Sequence, residues 1–224
     1  MRRIIREKAF ISSGNKEEIV NQFHELYYSA ATLGKTYKDT HFLGIPVRKC
    51  PLDLWIYQEL IYKLKPDLII ECGTFRGGGA LFFASICDII HHGEVITIDI
   101  EDIHRPAHPR IKYFLGSSVS LEMFDKVRNS VKNAQKVMVV LDSDHSKEHV
   151  LKELRLYSDI VTLGQYLIVE DTNVNGHPVF PDHGPGPMEA LDEFLKENKN
   201  FIISDVGNKF FLTFNPRGYL LKVK

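Results

Sequence analysis

Cysteine is scarce in this 224-residue sequence: Cys50, Cys72 and Cys87 form an odd set without metal-ligand spacing. That excludes a disulfide framework and a thiolate zinc site, and it fits reduced thiols in a cytoplasmic protein. An excess of one charge is also missing. The 28 basic and 29 acidic residues are dispersed and leave a formal net charge of -1, so no polyanion-binding surface is expected and nucleic acid is not a partner. Long apolar runs are absent too. The start is basic, with Arg2, Arg3, Arg6 and Lys8, but no stretch that follows could form a signal peptide or membrane span. Those four residues read as a solvated terminus. Repeats, low-complexity tracts and a second domain are likewise missing, so residues 1–224 are expected to form one domain. Residues 1–50 would supply a helix and a segment contacting substrate or a second copy in a homo-oligomer, and residues 51–224 the core.

What is present is the balance of a globular α/β protein, with 44% hydrophobic and 25% charged residues. Asn15 followed by Glu18 resembles a capping box, and Ile19, Val20, Phe23, Leu26, Tyr27 and Ala30 recur at helical spacing. A second helix carries Leu54, Tyr57, Gln58 and Ile61 and ends before Pro66. Trp55 and Tyr57 could face a ligand, but their helical spacing points to core packing for at least one of them. From there short apolar runs alternate with helical segments. Residues 67–71, 94–99, 112–115, 136–142 and 165–170 are predicted strands, and continuous apolar strands between helices predict a mostly parallel, doubly wound sheet. Residues 201–204 and 209–223, joined by residues 205–208, predict an antiparallel C-terminal hairpin.

In open parallel sheets ligands lie beyond the carboxyl ends of the strands. The first such end reads Glu71-Cys72-Gly73-Thr74-Phe75-Arg76-Gly77-Gly78-Gly79. Gly73 permits a tight turn, and Gly77, Gly78 and Gly79 allow close backbone approach to a bound group before the next helix. Cys72 reads as packing behind the loop. The second strand ends in Asp99, placed to accept two ribose hydroxyls. The third ends at Ser117 and Ser118, which either meet an adenine edge or cap the helix that follows. Glu71, Gly73, Thr74, Gly77 to Gly79, Asp99, Ser117 and Ser118 are therefore the candidate cofactor contacts.

The fourth and fifth strands end in acids: Asp142 and Asp144, then Glu170 and Asp171. Adjacent parallel strands would bring these within several ångströms, a concentration of negative charge that a hard divalent cation offsets. Oxygen donors favour Mg²⁺ or Mn²⁺ over Zn²⁺. Capping of the helices that follow needs fewer acids than these four. His145 is the candidate general base for a substrate hydroxyl. The loop 173–187 carries His177, Asp182 and His183 and is expected over the site, in contact with substrate.

The runs Asp53 to Ile61, Glu71 to Gly79, Leu141-Asp142-Ser143-Asp144-His145-Ser146, Val169 to Pro178 and Gly184-Pro185-Gly186-Pro187 resemble the cephalosporin hydroxylase family from about Thr36 to the carboxyl end. Despite its name, that family is similar to class I O-methyltransferases that use S-adenosylmethionine and Mg²⁺, and it includes enzymes that methylate sugar hydroxyls. The resemblance implies a Rossmann-like methyltransferase fold and a small-molecule or glycosyl hydroxyl as acceptor. It also implies that one Asp of the Asp142/Asp144 pair binds metal with Glu170 and Asp171. Asp144 is the expected ligand because Asp142 lies nearer the buried strand, and Asp142 would then orient cofactor or substrate. With Asp142 as ligand instead, His145 takes the base position, where the similar catechol and caffeoyl-coenzyme A methyltransferases carry lysine. The implied mechanism is in-line attack of oxygen on a sulfonium methyl. A nicotinamide-dependent oxidoreductase would use the glycine loop and Asp99 equally well but leaves the acids unexplained. A non-catalytic nucleotide-binding module remains a further alternative. An iron hydroxylase would need two histidines and a carboxylate facing the metal, and the sequence offers no such set.

Overall fold

The computed structural model describes residues 13–224, so the basic residues Arg2, Arg3, Arg6 and Lys8 lie outside the described residues. Its centre is a seven-stranded sheet. Five parallel strands, β3 (Leu68–Cys72), β4 (Glu94–Asp99), β5 (Ile111–Leu115), β6 (Val137–Leu141) and β7 (Tyr166–Val169), are joined by β8 (Phe201–Ile203) and β9 (Tyr219–Lys222) in the order β5-β4-β3-β6-β7-β9-β8. The last two are antiparallel additions. A short pair, β1 (His41–Phe42) and β2 (Ile45–Pro46), stands apart. The mostly parallel, doubly wound architecture matches the expectation.

Alternation along β3 explains the two-sided core. Leu68, Ile70 and Cys72 face one layer, with residues of α4 (Leu121–Ser130), α5 (Lys147–Tyr157) and α6 (Pro187–Glu197). Ile69 faces the other, formed by α2 (Pro51–Leu64) and α3 (Gly78–Ile89). Side chains two apart share a face, so a wholly apolar strand can bury both. The chain leaves β3 for β4 and β5 and returns to β6 on β3's other side. That reversal opens a crevice at the carboxyl ends of β3 and β6, where open α/β sheets hold ligands.

Two local readings change. Helix α1 spans Ser13–Ser29, so Asn15 lies inside its first turns and is not the N-cap, because the helical hydrogen bonds extend beyond the polar pair. The strands β8 and β9 do pair, but a tight turn at 205–208 does not join them. A 3-10 helix, Asp205–Phe210, and an irregular stretch intervene. The reason is Asp53 on α2, buried and accepting from Thr213 Oγ1 (2.5 Å), Phe214 N (2.8 Å) and Tyr219 OH (2.9 Å). Those bonds draw residues 213–214 off the strand. Of the two aromatics on α2, Tyr57 is in the core and Trp55 is exposed.

The helix α1 packs on this chain. Tyr27, Tyr28 and Tyr37 gather around Phe214, Leu212 and Cys50. His24 stacks on Phe214 with centroids 5.6 Å apart, and its Nε2 lies 2.9 Å from Asn173 Nδ2. Burial depresses the His24 pKa to about 4, so the ring is a neutral acceptor there. Among the described residues no helix is long and apolar enough to cross a membrane.

Two further buried carboxyls, Asp53 and Glu71, make stability depend on pH. Burial raises Asp53 to about 7 and Glu71 to about 8. Between their unfolded and folded values the folded chain holds protons that the unfolded chain has released. The stabilisation is thus complete at acid pH and lost as pH rises through those folded values. In chelator, unfolding free energy is expected to fall by roughly 2–4 kcal/mol from about pH 6 to about pH 8.5. Denaturant titrations check this, and Glu71→Gln, which keeps an acceptor for Thr97, should remove about half of the slope.

Candidate active site

Over the carboxyl ends of β3, β4, β5 and β6 lies a cavity of about 340 Å³. Of the expected cofactor residues, Gly73, Asp99, Ser117 and Ser118 line it. Gly73 is required there: its φ is +95°, and a Cβ would stand 1.9 Å from the Asp142 carbonyl oxygen. Asp99 Oδ2 accepts from the loop amides of Thr74 (2.9 Å) and Phe75 (2.8 Å), and Arg105 Nη2 sits 3.3 Å away. Glu71 lies behind the loop, where its Oε2 accepts from Thr97 Oγ1 at 2.6 Å. Thr74 Oγ1 also meets Thr97. Gly77, Gly78 and Gly79 do not border the cavity. They serve packing: a Cβ on Gly79 would come within 2.3 Å of Glu71 Oε1.

Ser143, Asp144 and His149 also line the cavity. Behind them Glu153, fully buried, accepts from Ser118 Oγ at 2.5 Å and Ser143 Oγ at 2.7 Å, with His149 Nε2 at 3.4 Å. That hydrogen bond to Glu153 raises the His149 pKa. Helical spacing could have paired His149 with Glu153, but nothing in the sequence tied the pair to two strand-end serines.

The acids at the ends of β6 and β7 do come together. Asp142, His145 and Asp171 each place a ligand atom within 4.8 Å of the others. His145 Nε2 is 3.3 Å from Asp171 Oδ2 and 3.9 Å from Asp142 Oδ1. Glu170, buried beside them, accepts from Tyr57 OH at 2.7 Å. The residue that joins the set is Lys49, immediately before α2. Its buried ammonium donates to Asp142 Oδ2 and, at 2.5 Å, to Glu170 Oε1. Asp144 stands apart: its Oδ1 accepts from Ser146 N at 2.7 Å, a turn bond two residues ahead of the N-cap of α5.

Burial raises the Asp142, Glu170 and Asp171 pKa values; mutual repulsion adds to this, and Lys49 pulls them back. Burial opposes the charge on Lys49, but Asp142 and Glu170 outweigh it and hold the ammonium charged. Burial also opposes the His145 imidazolium, and Asp171 and Asp142 outweigh it, leaving the pKa raised. Three carboxyls gathered around one ammonium, with His145 at their edge, leave acidic oxygens in excess of the cationic groups that face them. Asp142 Oδ1 and Glu170 Oε2 take no hydrogen bond among the described residues. Such a set suits one hard divalent cation.

The signature of the rhamnosyl O-methyltransferase/CmcI family matches residues 34–223. The chain belongs to that family. It is 36% identical over 218 residues to a rhamnosyl O-methyltransferase of Mycobacterium tuberculosis (strain ATCC 25618 / H37Rv), covering 92% of this chain and 86% of the relative. A rhamnosyl O-methyltransferase of Mycobacterium leprae (strain TN) is 36% identical over 216 residues, with 92% and 91% covered. Among solved structures, CmcI with Mg and SAM superimposes with a TM-score of 0.66 at 18% identity, over 84% of this chain and 78% of that one. By its family, then, the protein is an S-adenosylmethionine-dependent O-methyltransferase, and the oxidoreductase and non-catalytic readings fall away.

Proposed function

We propose that the protein transfers the methyl group of S-adenosylmethionine to a sugar hydroxyl, with one Mg²⁺ held by Asp142, Glu170 and Asp171. The observation that carries the proposal is the gathering of Asp142, Glu170 and Asp171 at the ends of β6 and β7, next to a cavity bounded by the glycine turn and Asp99. Asp142 is assigned as ligand in preference to Asp144 because Asp142 lies within the cluster, whereas Asp144 is held by the turn before α5 and lines the cavity over β3 to β6.

When bound, Mg²⁺ would lower the acceptor hydroxyl's pKa and orient its oxygen. The chain's own groups do the rest. Lys49 fixes one oxygen each of Asp142 and Glu170, and Tyr57 helps to hold Glu170, which leaves the second oxygen of each for the cation. Asp171 Oδ2, beside Nε2 of His145, orients the imidazole, whose other ring nitrogen takes the proton of the acceptor hydroxyl. The oxygen lone pair forms the new C–O bond as the S–CH₃ bond breaks, and that bonding pair stays on sulfur. Gly73 and Asp99 position the methyl donor on one side of the cluster. Its three buried free thiols favour a reducing compartment such as the cytoplasm.

The test is transfer of a radiolabelled methyl group from S-adenosylmethionine to octyl α-L-rhamnoside and related glycosides. Labelled ether product that requires Mg²⁺ and disappears with chelator is the expected result. Labelling of amines alone, or transfer indifferent to chelator, would overturn the reading.

A further inference from the structure

A second cavity, of about 590 Å³, lies between residues 25–38 and the segment Pro178 to Pro181 in the loop that follows β7. It is built mainly from side chains that the chemistry above does not use. Tyr28 and Tyr37 form one wall, their rings stacked with centroids 5.1 Å apart and 28° between planes. Both phenols are held above their ordinary pKa by burial, and the negative charge of Asp171 adds to the effect. Both rings pack edge-on against Phe214, whose carbonyl accepts from Asn173 N, two residues beyond Asp171, so the wall stands close to the end of β7. At the mouth, Phe180 is 52% exposed and has a φ of +50°. A large aromatic held in the left-handed region and half in solvent gains little from burial and carries backbone strain, a combination found at binding sites. Glu25 and Thr32 add a carboxylate and a hydroxyl to the rim.

The placement across the sheet is equally informative. The first cavity spans the ends of β5, β4, β3 and β6, the acid cluster sits at the ends of β6 and β7, and the second cavity is bordered by the loop that follows β7 and shares no lining residue with the first. In-line transfer needs donor and acceptor on opposite sides of the reacting oxygen. The walls are held in place: His24 bonds to Asn173 and stacks on Phe214, which fastens α1 beside the loop that carries Phe180.

We propose that this second cavity is the acceptor subsite, holding a glycosyl ring against Tyr28, Tyr37 and Phe180 with its reacting hydroxyl directed towards Asp171 and His145. Aromatic faces match the apolar faces of a pyranose, and Glu25 and Thr32 supply partners for its remaining hydroxyls. The assignment rests on the sugar-hydroxyl reading above. It is tested with octyl α-L-rhamnoside and two variants at exposed positions, Phe180→Ala, which removes the mouth residue, and Thr32→Trp, which fills the cavity. Each should raise the acceptor KM roughly tenfold or more while the KM for S-adenosylmethionine, the affinity for Mg²⁺ and the thermal midpoint stay at wild-type values. Wild-type transfer accompanied by an unchanged acceptor KM in both variants overturns the subsite and leaves the activity standing. Absence of glycoside methylation by the wild type, with S-adenosylmethionine and Mg²⁺ bound, overturns the activity and the subsite with it.

Discussion

Asp171→Ala lowers methyl transfer about a thousandfold, equivalent to about 4 kcal/mol of lost transition-state stabilisation, the scale of a metal's contribution to such a step. The expectation follows from position. Asp171 meets His145 through Oδ2 and lies in the cluster with Asp142, so the substitution removes a metal ligand and the group that orients the proposed base. The cavity proposed for the cofactor is bordered by Gly73, Asp99, Ser117 and Ser118, and Asp171 is not among its lining residues. Affinity for S-adenosylmethionine should therefore stay within about threefold of wild type, read by calorimetry beside the kinetics. Ala at this position's φ of +52° carries some backbone strain, offset in the apo fold because burial already disfavours the Asp171 carboxylate. Removing it relieves repulsion from Glu170.

The second large effect separates two acids that are two residues apart. Asp142→Asn should weaken Mg²⁺ binding by about a hundredfold or more and collapse activity with it, since it removes a carboxylate from the cluster proposed to hold the cation. Asp144→Asn should leave Mg²⁺ affinity within about twofold, because Asp144 lies outside the cluster and Asn makes the same turn bond to Ser146 N. Metal titrations of both variants decide the matter. Loss of Mg²⁺ binding in Asp144→Asn with retention in Asp142→Asn would restore the assignment that strand burial suggested from the sequence.

That reversal illustrates which parts of the site were legible. Strand ends were, because wholly apolar runs such as Val137–Leu141 and Tyr166–Val169 can only be buried on both faces. Their ends put Asp142 and Glu170–Asp171 on adjacent strands. Which of Asp142 and Asp144 turns inward was not, since it depends on where α5 begins and which carboxylate the turn before it claims. Lys49 was invisible for another reason. It lies 93 residues from Asp142 and 121 from Glu170, in a coil whose only sequence signal is a charged residue before a helix. The C-terminal pairing was foreseen, but its connection was not, because the buried Asp53 carboxylate 160 residues away claims Thr213. Glu71 looked like a cofactor contact from its place in the glycine loop's run, whereas strand alternation turns it to the side of Thr97 and Lys49. Contacts set by local periodicity could be read, and those between distant polar side chains could not.

The central claim is that Asp142, Glu170 and Asp171 form one divalent metal site beside the cofactor cavity. Calorimetric titration of Mg²⁺ into the chelator-stripped wild-type protein and into Asp171→Ala tests it most directly. One Mg²⁺ per chain in the wild type, and no measurable binding in the variant although S-adenosylmethionine still binds, is the result predicted. Equal Mg²⁺ binding by the two proteins would contradict it.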